Sequence, residues 1–118
     1  MAYEAIILNI NEAAVRKMKA EIAAADTIPA RYVRKQAVWE SGEFDKAVRA
    51  MGERVPVELH VGDAIIYTHN DNFGTKKYPE MHEITALGHI TKVSEKQVCT
   101  EYGEHLDAKR VIAVLRGE

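Results

Sequence analysis

Only one of the 118 residues is a cysteine. Cys99 has no intrachain partner, so no disulfide staples the chain and no multi-cysteine zinc site can form. A free thiol suits a reducing compartment. The seven glycines are dispersed, and neither GxxxxGKS/T nor GxGxxG occurs, which removes the phosphate-cradling loops of nucleotide-binding proteins. No apolar run approaches the roughly 18 residues that a membrane span needs. The apolar stretch Ala5–Ile10 is short, and Glu4 sits where a signal peptide would carry basic residues, so the chain reads as cytoplasmic with no membrane partner. An excess of one charge is also missing. With 16 Lys+Arg against 18 Asp+Glu the formal charge is −2, which gives no overall pull toward nucleic acid or anionic lipid.

What is present is a globular composition, 47% hydrophobic and 29% charged, on a length that fits one domain able to bury about two-thirds of its unfolded surface. The charges divide unevenly. Residues 1–54 hold nine Lys/Arg and eight Asp/Glu, and residues 55–118 hold seven and ten. Any basic surface therefore belongs to the first half.

That first half reads as helical. Over 11–25, Val15, Met18 and Ile22 recur at spacings of three and four and define one face, with Asn9 or Asn11 as N-cap. Residues 3–8 are read as an extension of this helix, because Tyr3, Ile7 and Ile10 continue its face, although Ile6-Ile7-Leu8 also fits a short buried strand. Thr27 and Pro29 suit the start of a second helix carrying Tyr32, Val33, Gln36, Ala37 and Trp39 toward Glu40, stopped by Gly42. A third spans about 43–51, with Phe44, Val48 and Met51 inward.

Composition changes at Arg54-Val55-Pro56. Beyond it β-branched residues alternate and predict strands at 57–61, 64–69, 83–93, 97–102 and 110–115, with Ser94-Glu95-Lys96 as a tight hairpin connection. The last strand is apolar on both faces, which predicts sheet on one side and helices on the other; its rival is a C-terminal helix capped by Asp107. Gly62-Asp63 is a bend, the glycine for an unusual backbone angle and the aspartate for neighbouring amides. That bend, then Leu87-Gly88-His89-Ile90-Thr91-Lys92-Val93 and Lys96-Gln97-Val98, resembles the strand pattern of SH3-like small barrels such as Tudor and KOW modules, over residues 57–115. The expected fold is α+β: three N-terminal helices packed on a five-stranded antiparallel SH3-like or partly open barrel, as a single domain with 1–54 helical and 55–118 the barrel half.

Chemistry is harder to find. All five histidines (His60, His69, His82, His89, His105) fall in the second half, yet none has the short paired spacing of a zinc site. His69, Asp71 and His82 flank one loop. Read as a calcium loop, His69–Glu80 puts histidine first and Phe73 fifth, where oxygen ligands are required, so the match fails. Cys99 has no base beside it in sequence, and Glu80 with Glu83 or Glu101 with Glu104 are carboxylate pairs of an ordinary kind. No cofactor is expected.

Two surfaces remain. Arg16 and Lys19 on the first helix, and Arg31, Arg34 and Lys35 on the second, make a basic face for nucleic acid, with Glu12, Glu21 and Glu40 interleaved against it. Asn70–Glu80 is a long connection inside a hairpin, where two to five residues are usual. It carries Phe73, Lys76, Lys77 and Tyr78, with Met81 at its exit. Such side chains bury much area against a partner, or fold back as a lid on the barrel end. The expected function is a non-enzymatic protein-interaction module whose contact is this loop. In style it is similar to small phage and mobile-element proteins that inhibit a host protein. The alternative is a nucleic-acid-binding accessory protein using the basic face. A small hydrolase or lyase built on His69 and His82 ranks third.

Overall fold

Residues 3–24, 38–40, 46, 48–72 and 74–117 are described by the computed structural model; of these, the side chains of 21–24, 38–40, 71, 82 and 84 lie outside the description. The element order is β1 (Tyr3–Leu8), α1 (Glu12–Ala24), β2 (Val38–Glu40), β3 (Val55–Val57), β4 (Ala64–Asn72), β5 (Met81–Val93), β6 (Val98–Thr100), β7 (His105–Leu106) and β8 (Val111–Leu115). The strands join in the order β3-β1-β8-β4-β5-β6-β7, and β2 pairs along β5 off that path. The sheet is mixed, because β1 runs parallel to β8 with Ile6 opposite Ala113 and Leu8 opposite Leu115.

This overturns the expected three helices on a five-stranded antiparallel barrel. Among the described residues α1 is the one full helix; residues 46, 48 and 49 are also helical, and the Ala50 amide donates to the Lys46 carbonyl at 3.0 Å. Val48 is buried, as expected, but Met51 is exposed. Val38–Glu40, placed by sequence at the end of a second helix, is a strand against Ile84–Ala86; residues 27–37 of that reading, and Phe44, lie outside the described residues. The strand expected at 57–61 forms instead at Val55–Val57, antiparallel to β1.

Residues 3–8 are strand, not helix, and the reason is packing. Ala5 enters one core cluster with Tyr3, Ile65, Tyr67, Ala86, Val111 and Val114. Ile6 enters another, with Val15, Val48, Ile66, Leu87 and Ile112. A strand turns successive side chains to opposite faces, so adjacent residues can serve two cores. Strand β8 also serves both clusters, Val111 and Val114 the first and Ile112, Ala113 and Leu115 the second, and is buried at all five positions, which bears out the reading of a strand covered on both faces. Asp107 makes a turn before it, accepting from the Lys109 amide at 3.1 Å, and caps no helix.

Helix α1 starts where Asn11 Oδ1 accepts the Ala14 amide at 2.9 Å, an N-cap worth about 1 kcal/mol. It lays Val15, fully buried, and Met18 on the second cluster. The Gly62 bend is as expected. Gly62 has φ +95°, a conformation that a side chain disfavours. Asp63 Oδ2 accepts from the His60 amide at 2.8 Å and from the Arg116 guanidinium at 2.6 Å, which ties the bend to the end of β8. The 94–97 hairpin also forms, closed by the Ser94 amide on the Gln97 carbonyl at 2.9 Å.

Candidate functional site

The hairpin of β4 and β5 is longer than the rest of the sheet. Its ladder runs from Ala64↔His89 to Asn72↔Met81, while β8 leaves β4 at Tyr67↔Val111 and β2 pairs β5 only at 84–86. Among the described residues no third strand joins the rows from Asn70↔Glu83 outward. Three rows at about 3.4 Å each carry the tip roughly 10 Å beyond the sheet. Every described side chain from Asn70 to Glu83 is exposed, with Tyr78 at 73% and Met81 at 60%. Tyr78 and Met81 therefore form no lid. Phe73, read from sequence as part of the same contact, lies outside the described residues.

An isolated two-stranded ribbon is marginally stable in water, and this one carries its own fastening. Asn72 Oδ1 accepts the Gly74 and Glu80 amides, each at 2.9 Å, and Asn72 Nδ2 donates to the Thr75 carbonyl at 3.2 Å. One amide side chain thus closes the base of the loop. Beyond it Thr75 and Tyr78 flank a two-residue turn: the Thr75 amide donates to the Tyr78 carbonyl at 3.0 Å, and the Tyr78 amide to Thr75 Oγ1 at 2.9 Å. Gly74 lets the chain cross itself, since a Cβ there would lie 2.3 Å from the Tyr78 carbonyl oxygen. Lys76 and Lys77 occupy the turn and are exposed, and the Lys77 ammonium lies 5.7 Å from the Tyr78 ring centroid.

At the root of the arm is a buried polar cluster that sequence did not indicate. Glu104, 6% exposed, accepts from the Tyr67 hydroxyl at 2.6 Å and faces His69 Nδ1 at 3.0 Å. Burial, then the Glu104 charge and hydrogen bond, push the Tyr67 phenol far above its ordinary range. The cluster is internally satisfied: among the described residues no buried side-chain polar atom lacks a hydrogen-bond partner. It positions His69.

The basic helical face is only partly a face. Arg16 is exposed and lies 3.8 Å from Glu12, but the Lys19 side chain, 13% exposed, turns inward to pair with Glu101 and lies 5.7 Å from the Tyr102 ring centroid. His89 completes this clasp between α1 and the sheet, with Nε2 2.9 Å from Glu12 and its amide donating to Glu101 at 3.1 Å. Burial raises the Glu101 carboxyl, but the Lys19 ammonium and the two His89 donors outweigh it and leave the group below its usual range. Arg31, Arg34 and Lys35 lie outside the described residues.

The two carboxylate pairs do not act as pairs: Glu101 serves the clasp and Glu104 the buried cluster, while Glu83 lies 3.6 Å from Arg110. Asp71 and His82 are register partners. Cys99 does have a neighbour after all. The β6–β7 register sets it opposite His105, with Sγ 3.2 Å from Nδ1, a pairing visible in sequence only once a turn at 101–104 is assumed. Among the described residues no three His, Cys, Asp or Glu side chains group as metal ligands, and no helix is long and apolar enough to cross a membrane. Comparison with protein families, with characterised proteins and with solved structures finds no match, so the resemblance to small barrels rests on the residue pattern at 57–115 alone.

Proposed function

We propose that this protein is a non-enzymatic binding module that contacts a partner protein through the projecting arm at 70–83. The observation that carries the reading is the unbroken exposure of the described arm side chains, Tyr78 and Met81 included, on a loop fastened by Asn72. Large apolar groups held rigidly in solvent bring area to an interface at low ordering cost, and tyrosine is enriched among the residues that dominate binding energy. The arm stands ahead of the basic helical face because Lys19 is committed to Glu101. It stands ahead of the His69 hydrolase reading because the acceptors around His69 already serve internal partners.

The test is site-specific photo-crosslinking in the native host. A photoreactive residue at position 78 should label one protein, and Met81→Ala should suppress that product. The same probe at position 96, on the hairpin at the opposite end of β5, should not give it. Equal labelling from both positions, or none from 78, would sink the reading.

A further inference from the structure

We infer that the arm's partner presents a concave, carboxylate-lined cleft, and that Lys76 and Lys77 meet those carboxylates while Tyr78 and Met81 fill the apolar floor. The inference rests on the arm reading and adds the chemistry of what the arm enters.

Shape gives the first half. A ribbon two strands wide whose described side chains are exposed on both faces gains contact area only where walls rise around it. Charge gives the second. Residues 55–118 carry seven Lys/Arg against ten Asp/Glu, yet the outermost turn is Lys76-Lys77. The three free-running rows hold these lysines about 10 Å from the sheet, beyond the Debye length of roughly 8 Å at physiological ionic strength. At that distance the acidic body is largely screened; the arm's own acids, Asp71, Glu80 and Glu83, follow the turn or precede it in sequence, with Glu83 3.6 Å from Arg110, so the positive charge is confined to the Lys76-Lys77 turn itself.

Nucleic acid fits this geometry less well, although a two-stranded ribbon does fit a major groove. A groove has phosphates on both walls, which would meet the arm's flanks, and those carry the exposed carboxylates Glu80 and Glu83. A long polyanion would also continue past the tip along the acidic half. A protein cleft can set its carboxylates against Lys76 and Lys77 only and leave Glu80 and Glu83 at a solvated or neutral rim. Pro79 between the two anchors limits the backbone freedom lost on binding, and the unbranched Met81 adapts to the detail of the floor.

The experiment takes the protein crosslinked from position 78, maps the labelled segment, and measures its affinity for the full-length chain. Lys76→Glu/Lys77→Glu should weaken binding by at least about tenfold, Lys76→Arg/Lys77→Arg should not, and reversing the carboxylates in the mapped segment should restore binding to the Glu variant. Unchanged affinity after charge reversal, with Tyr78→Ala still abolishing binding, would overturn the acidic cleft and leave the arm reading intact. Binding of a short DNA duplex or an oligo-dT strand that is lost in the Glu variant would replace the protein cleft with nucleic acid. Absence of any crosslink from 78 would remove both readings together.

Discussion

From Ala64 to Thr68 strand β4 is buried at every position, and from Asn70 to Asn72 its described side chains are exposed, although β5 runs beside it throughout. The two halves of one hairpin differ in what lies on either side of them. At the base, β8 flanks β4 and two clusters of apolar side chains cover both faces. In the arm, the described groups that hold the loop are polar and local, Asn72 and Thr75 above all. Stability is therefore expected to concentrate at the base, and substitutions in the arm should leave the fold intact. Side chains that do not hold the fold are available to hold something else.

The contrast breaks most visibly if the base proves tolerant. Ile112→Ala, at a fully buried position in β8, should cost about 2–5 kcal/mol in denaturant unfolding, whereas Tyr78→Ala should change stability by less than about 0.5 kcal/mol. Comparable losses from the two would mean that the arm packs against something and is not free-standing.

At the junction, Glu104→Leu removes the acceptor of the Tyr67 hydroxyl and the partner of His69 Nδ1. Leaving a buried donor unsatisfied costs about 1–3 kcal/mol. Adding Tyr67→Phe removes the stranded donor, so the double variant should be less destabilised than the sum of the single variants. Strict additivity would show that the cluster is not one network.

The clasp on the far face supplies a smaller, pH-dependent effect. Glu101 is held below its usual range, so its contribution is fully present above the ordinary carboxyl pKa near 4.3 and is lost as pH falls through the lower folded value. Glu101→Gln should cost about 0.5–1 kcal/mol at neutral pH, given how much of the pair is solvated, and the difference from the parent chain should vanish in acid. A difference that persists in acid would assign the loss to packing.

Local chemistry was legible where it was self-contained. Gly62-Asp63 announces its bend, Ser94–Gln97 its turn, and Val111–Leu115 its double-sided burial, because each signal lies in consecutive residues. The failures share one cause: partners far apart in the chain. Tyr3–Leu8 takes the strand form because β8, more than 100 residues later, offers it a parallel edge, and no window around 3–8 contains that fact. Lys19 read as surface because its acceptors, Glu101 and His89, lie on other elements. The connection expected at 70–80 was legible as unusual from its content, but Asn70–Asn72 pair with β5 as strand, so it is shorter than expected. Its projection was not legible, since that depends on where β8 and β2 stop pairing.

The smallest expected change in global stability is the most informative about the arm. Asn72→Ala deletes the acceptor for two amides and a donor to the Thr75 carbonyl, yet all these groups are exposed, so water replaces the lost bonds and the unfolding midpoint should barely move. What changes is order. The Gly74 and Glu80 amides should lose their protection against hydrogen exchange, while those of Ile65 and Ile66, inside the doubly covered base, keep theirs. If binding through position 78 weakens in this variant although Lys76, Lys77, Tyr78 and Met81 are all present, the arm works by being held in shape. Undiminished binding would mean that the partner can order a loose loop, and that the Asn72 fastening serves the free protein only.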